Sequence, residues 1–278
     1  MNRDPTHHPM TAPPSLRAFA ERRLADLEAR GLRRYRRITA PVDGVMVEQD
    51  GRRLVNVSSN DYLGLAADPR VVQAACDAAR SYGVGAGASR LITGDHPALA
   101  ALEADLAAFK GAEATLIFSS GYAANLGIIP ALVGPDDVVL IDALAHNCLH
   151  MGARLSGASV RRFAHNDLDA LEALLADQRH RAQHCLILTD GVFSMDGDRA
   201  PVADMAALAD RWGAWLLVDD AHGLGTVNEG RGGAADGAVP LAMGTLSKAL
   251  GAQGGYVCAD APVIEFLRNR ARSLVYST

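Results

Sequence analysis

Of the 27 basic residues in this 278-residue sequence, 25 are Arg and only two are Lys, Lys110 and Lys248. An amine can lose its proton and attack a carbonyl, which a guanidinium cannot, so a lysine kept in so Arg-rich a chain is a candidate nucleophile. Lys110 sits in Ala107-Ala108-Phe109-Lys110-Gly111, which reads as an exposed charge left by compositional drift. Lys248 keeps different company, following the apolar run Leu241–Gly244 and then Thr245-Leu246-Ser247. Other apolar runs also end in polar groups. Ala114–Phe118 runs into Ser119-Ser120-Gly121-Tyr122, Val138–Ile141 into Asp142 and then His146, Cys185–Thr189 into Asp190 and Ser194, and Trp215–Val218 into Asp219-Asp220-Ala221-His222. The Ser-Ser-Gly segment opens a helix, where free backbone N–H groups suit a phosphate. A phosphate cradle, a strand-end carboxylate, two histidines and a rare amine form the set that pyridoxal phosphate needs. The lysine links to it, and an acid keeps its ring nitrogen protonated.

Positioning such groups requires an alternating chain. Helical spacing recurs over 69–80, 97–109, 121–132, 147–156, 168–176, 202–211 and 262–271, with the apolar runs between, and Gly255–Cys258 after the last strand-end lysine. Apolar runs separated by helices are strands buried on both faces of a mainly parallel sheet, whose sites lie at the strands' carboxyl ends. The expected fold is therefore α/β. Residues 1–14, polar and rich in Pro and His, read as a disordered lead; 15–44 as an arm with a helix from Ser15 to about Arg30; 45–278 as the major domain, opening on short strands Val45–Glu48 and Leu54–Val57. Eight arginines fall between Arg17 and Arg37. From the residues alone, a solvated helix face ranks ahead of a carboxylate contact for them.

Composition excludes several classes. Hydrophobic residues make up 49% and charged residues 21%, enough for a full core and unlike a disordered chain. The net charge of -5 argues against nucleic acid or an anionic membrane as partner, and no apolar run is long enough to span a bilayer. Cys76, Cys148, Cys185 and Cys258 lack paired spacing, so neither a disulfide framework nor a zinc site is indicated, and a reduced, cytoplasmic setting is expected. His146 and His150 stand four apart, as a metal pair does, but no third ligand of fitting spacing accompanies them, and no metal is expected. Gly83–Ser89 follows a helix rather than a strand, unlike a dinucleotide fingerprint; Gly244–Lys248 lacks the Gly before Lys of a phosphate-binding Walker loop; Ser194 and His222 lack a nucleophile elbow.

From about Arg33 onward the chain resembles the α-oxoamine synthases, fold-type I pyridoxal-phosphate enzymes that condense an amino acid with an acyl thioester and release carbon dioxide. The resemblance rests on Asn56-Val57-Ser58-Ser59-Asn60-Asp61-Tyr62-Leu63-Gly64-Leu65, Ser89-Arg90-Leu91-Ile92-Thr93-Gly94, Ser119–Asn125, Gly191–Gly197 and Asp219–Gly223, in that order. Ser89-Arg90-Leu91 and Asp220–Gly223 favour the family member that joins L-alanine to a pimeloyl thioester, on CoA or a carrier protein, in biotin biosynthesis. Glycine C-acetyltransferase and 5-aminolevulinate synthase types, and a non-catalytic relative that binds the cofactor, remain as alternatives. The resemblance implies that Lys248 carries the cofactor, Asp219 meets its ring nitrogen, His146 stacks on the ring, and Ser194 and His222 bond its hydroxyl. It places the phosphate on Gly121, Tyr122 and Thr245, and a substrate carboxylate on Asn60 and Arg34, or Arg33 in the alternative register. It implies a homodimer, and a fold-type I large domain followed by a smaller C-terminal domain that would begin where the sequence stops, at Tyr276-Ser277-Thr278.

Overall fold

The structure is a computed structural model that describes residues 15–278; the expected lead at 1–14 lies outside the described residues. Contacts divide the chain into two compact units, the first ending at Val57 and the second covering Ser58–Thr278. The division falls later than the 44/45 boundary expected from sequence, because a small antiparallel sheet closes on itself within the first unit. That unit begins with helix α1 (Leu16–Ala29), capped by Ser15, whose Oγ accepts from the Ala18 N–H at 3.2 Å. Exposed pairs Arg17–Glu21 and Arg30–Asp26 brace it at i,i+4, each contributing about 0.3–0.5 kcal/mol. No residue of α1 is buried. Strands β1 (Thr39–Asp43), β2 (Met46–Gln49) and β3 (Arg52–Val55) pair antiparallel in that order. The β2–β3 turn is Asp50-Gly51 with positive φ at both residues, the geometry that hairpins of two-residue loops prefer. Strand β1 had no sequence signal, since Pro41 lies within it, as an edge strand tolerates.

The second unit carries α2 (Pro69–Tyr82), α3 (Pro97–Lys110), β4 (Ala114–Phe118), α4 (Gly121–Leu132), β5 (Val138–Asp142), α5 (Asn147–Ser156), β6 (Ser159–Phe163) and α6 (Leu168–Gln178). Then follow β7 (Cys185–Asp190), α7 (Val202–Trp212), β8 (Trp215–Asp219), β9 (Leu241–Thr245), β10 (Gly255–Ala259), α8 (Ala261–Arg270) and the short α9 (Arg272–Val275). The seven strands form one sheet in the order β4-β10-β9-β8-β7-β5-β6. Pairing is parallel from β9 to β6, and β10 runs antiparallel to both its neighbours. Strands β5, β7, β9 and β10 are buried at every residue, which is why they read as unbroken apolar runs rather than alternating ones. One core cluster includes Leu140, Leu171, Leu175 and Met205 against α6 and α7; the other includes Ile128, Ile129, Leu149 and Leu267 against α4, α5 and α8. Each such fully buried side chain contributes about 1.5–3 kcal/mol. The edge strand β6 had escaped the sequence reading because Arg161 and Arg162, both exposed, interrupt its apolar character.

The reading of Lys110 needs correction. Its side chain is only 4% exposed, and its Nζ lies 3.1 Å from Asp220 Oδ2 and donates to the Arg231 carbonyl. Asp220 also accepts from the Gly233 and Ala234 N–H groups. Successive strand residues point to opposite faces, so Asp219 and Asp220, at the end of β8, separate. Asp220 receives Lys110, while Asp219 feels the charge of Lys248. Both lysines of the chain thus serve consecutive aspartates.

Candidate active site

At the carboxyl edge of the sheet a cavity of about 230 Å3 is lined by residues that follow five different strands. Ser120, Gly121 and Tyr122 come from the start of α4 after β4, His146 and Cys148 from the start of α5, Asp190 from β7, Asp219, Ala221 and His222 from the end of β8, and Thr245, Ser247 and Lys248 from the end of β9. The site residues named from sequence that meet here are Gly121, Tyr122, His146, Asp219, His222, Thr245 and Lys248. Ser194 does not: it lies in an exposed turn beyond β7, outside the lining. Asn60 is exposed and reaches the cavity indirectly, through Tyr62. Arg33 and Arg34 belong to the first unit. There Arg33 pairs with Glu28 at 3.3 Å and lies over the Tyr35 ring, whereas Arg34 is exposed and makes no ion pair among the described residues.

Lys248 stands in a turn closed by the Gly251 N–H donating to the Lys248 carbonyl at 3.0 Å. Gly251 is required there. Its φ is +62°, and a Cβ would lie 2.3 Å from the Ala66 nitrogen. Burial holds the Lys248 amine below its usual pKa, against the opposing pull of Asp219 and Asp190. Its Nζ is 2.6 Å from His222 Nε2; His222 Nδ1 is 2.6 Å from the Tyr62 hydroxyl, which donates to Asn60 Oδ1 at 3.2 Å. Once the hydroxyl proton goes to Asn60, Nδ1–H donates to Tyr62 and Nε2 accepts from the amine, so every proton in the row has one destination. Burial above all pushes His222 down to about 4, consistent with a neutral imidazole in that role.

Asp219 is 4% exposed, and burial raises its pKa. Two donors oppose this, the Ala221 N–H at 3.0 Å to Oδ1 and the Asn125 amide at 2.8 Å to Oδ2. Asp190 stands beside it in strand register and accepts only from the His146 N–H, at 3.1 Å. Burial and the Asp219 charge push Asp190 well up. With two donors against one, Asp219 is the carboxyl of the pair better held as an anion. His146 precedes α5 as its N-cap, whereas His150 lies within the helix, so the two do not form a metal pair on one helix face. His146, Cys148 and Asp219 do bring metal-ligand atoms within 4.8 Å of one another. Asn125 already donates to Cys148 and Asp219.

These groups fit pyridoxal phosphate. At the anion end, the first helical N–H groups of α4 to find partners are Ala123, on Ser120 Oγ, and Ala124, on the Ser120 carbonyl, leaving Gly121 and Tyr122 N–H for a phosphate. The neighbouring strand comes close only because it starts with Gly255, where a Cβ would lie 2.4 Å from the Ser120 carbonyl. Thr245 lines this end, but its hydroxyl already donates to the Gly254 carbonyl at 2.7 Å. At the other end Asp219 is a buried anion suited to a cationic ring N–H. Sequence reasoning passed over Tyr62, Asn125, Cys148, Asp190 and Ser247. Asp190 carried the strand-end signal, and Tyr62 and Asn125 stood inside the quoted motifs.

The family model for aminotransferase class I and II matches residues 52–278. A relative from Maricaulis maris (strain MCS10), named 8-amino-7-oxononanoate synthase, is 58% identical over 272 residues, covering 96% of this chain and 69% of its own. Serine palmitoyltransferase from Sphingomonas wittichii superposes with a TM-score of 0.85 at 35% identity, over 93% of this chain and 66% of that one. A serine palmitoyltransferase variant from S. paucimobilis with a bound pyridoxal phosphate–myriocin adduct gives a TM-score of 0.85 at 30% identity, with the same coverage. The chain therefore spans about two thirds of the length of these proteins. It has the large-domain fold of the fold-type I pyridoxal-phosphate enzymes, and it belongs to the aminotransferase class I and II family and, within it, to the α-oxoamine synthases.

Proposed function

We propose that the protein acts in biotin biosynthesis as an 8-amino-7-oxononanoate synthase, condensing L-alanine with a pimeloyl thioester, and that it works as a cytoplasmic homodimer. The observation that carries this reading is the cavity in which the Lys248 amine, held at 2.6 Å by His222, shares a wall with the buried Asp219. No helix among the described residues is long and apolar enough to cross a membrane.

When bound, pyridoxal phosphate supplies an electron-withdrawing ring that stabilises negative charge at the amino acid's α-carbon. The protein's residues do the rest. The Gly121 and Tyr122 N–H groups hold the phosphate, and Asp219 keeps a negative charge at the ring nitrogen. His146, lining the same cavity, would meet the face of the cofactor ring. Lys248, its pKa lowered by burial, would hold the cofactor through its Nζ, and the same Nζ would take the substrate's α-proton and later return one. His222 orients Nζ and is itself fixed by Tyr62 and Asn60. Asn60 would receive a substrate carboxylate.

The test is a condensation assay in which carbon dioxide and aminoketone are both measured. Alanine with pimeloyl-CoA should turn over much faster than glycine with acetyl-CoA. The opposite preference would move the protein to a sister reaction. Cofactor capture without turnover of either pair would leave only the cofactor-binding reading.

A further inference from the structure

Two buried side chains that the steps above do not use, Asn125 and Cys148, stand between Asp219 and His146. The Asn125 amide nitrogen has two hydrogens and lies 2.8 Å from Asp219 Oδ2 and 3.1 Å from Cys148 Sγ, so each hydrogen has one acceptor. The Cys148 sulfur therefore accepts, and its single proton has two acceptors in reach: His146 Nδ1 at 2.8 Å and Asp219 Oδ2 at 3.6 Å. The nearer takes it. Burial and the Asp219 charge hold the thiol far above its usual range, so the proton stays on sulfur. His146 Nδ1 also caps α5, accepting the Cys148 N–H at 3.3 Å. A ring nitrogen that accepts from two donors carries no hydrogen, which leaves the hydrogen on Nε2 and the imidazole uncharged. A cation there would face the positive end of the α5 dipole. Of the ionisable groups around His146, Asp219 alone would favour a cation there, and its oxygens already accept from the Asn125 amide and the Ala221 N–H. Asp190 is occupied by its backbone N–H, and Lys248 and His222 line the same cavity.

We infer that Asn125 and Cys148 are positioning residues, acting through one hydrogen-bond chain in which Asn125 donates to both Asp219 and Cys148, and Cys148 donates to His146. The chain holds His146 as the neutral Nε2–H tautomer at the face of the cofactor and anchors Asp219 as the anion at its ring nitrogen. This rests on the cofactor roles assigned to His146 and Asp219 above. An uncharged imidazole can lie on a cationic ring, where an imidazolium would be repelled.

The test is two-bond 1H–15N correlation spectroscopy of the cofactor-free chain labelled with [15N]histidine, the His146 signals being assigned from the His146→Asn variant. His146 should show the Nε2–H pattern at pH 7 in the natural protein and in Cys148→Ser, which keeps both a donor and an acceptor. In Cys148→Ala only the 3.3 Å cap from the backbone N–H of residue 148 still holds Nδ1, so an Nδ1–H population should appear beside Nε2–H. Titration with pyridoxal phosphate should show about five- to tenfold weaker binding for Cys148→Ala, the loss of one hydrogen bond, and rescue to within about twofold in Cys148→Ser. An Nδ1–H or doubly protonated His146 in the natural protein would overturn the inference, and needs no variant to fold. An unchanged His146 signal in Cys148→Ala would do the same. Correct tautomers with no pyridoxal phosphate binding in any variant would instead overturn the cofactor reading and leave the hydrogen-bond chain standing.

Discussion

Replacing Asp219 by Asn separates what this residue does for stability from what it does for function. In the folded chain its carboxylate is 4% exposed, and burial raises its pKa, so at pH 7 the charge is held at a cost to folding. The neutral amide of the Asp219→Asn variant removes that cost. It also loses one of two contacts, because an amide cannot accept from both the Asn125 amide and the Ala221 N–H, now 2.8 and 3.0 Å from the carboxylate oxygens. A donor left facing a donor costs about 1–3 kcal/mol. The desolvated charge that disappears is worth a similar amount, so unfolding free energy at pH 7 should change by no more than about 1 kcal/mol. Function should respond very differently. Two opposite charges at contact distance interact with about 4 kcal/mol at an effective dielectric constant near 20, close to a thousandfold in rate if the charge is needed only as the ring takes up electrons. Urea unfolding and the condensation assay, run on the same preparation, measure both. A variant of normal stability that keeps turnover within tenfold of the natural protein would refute the assignment of Asp219.

Three further outcomes follow from the same geometry. Tyr62→Phe removes the 2.6 Å contact to His222 Nδ1 and should lower kcat about tenfold while cofactor binding changes little, measured by turnover against pyridoxal phosphate titration. Lys110→Met leaves the fully buried Asp220 without its cation and should destabilise the chain by about 3–5 kcal/mol in urea, with the cavity residues untouched. His222 is held near 4 in the folded state against about 6.5 when unfolded. Its stabilising contribution is therefore complete above about pH 6.5 and is lost as pH falls toward 4, so stability-against-pH curves of the natural protein and His222→Gln should converge through that window.

The parts of this molecule legible in its sequence are those fixed by local pattern. Runs such as Cys185–Thr189 and Leu241–Gly244 show buried strands because both faces of the sheet are covered, and each delivers its polar end residues to one edge. What stayed hidden depends on contacts far apart in the chain. Lys110 looked exposed because its partner Asp220 is 110 residues away. Tyr62 lies 160 residues from the histidine it holds, and Asn125 lies 94 from Asp219. Asp190 and Asp219 stand side by side only because β7 and β8 pair in register. Strand β6 was masked by arginines that an edge position leaves in solvent.

The central claim, that Lys248 is the amine this cavity exists to use, can be met in one measurement. The chain has only two lysines, so borohydride reduction in the presence of pyridoxal phosphate, followed by peptide mapping, offers few alternatives. The pyridoxyl mass should appear on the peptide containing Lys248, be absent from Lys110, and disappear in Lys248→Ala and Lys248→Arg, which should also lose turnover by several orders of magnitude. A label on Lys110, or on neither lysine, would contradict the account.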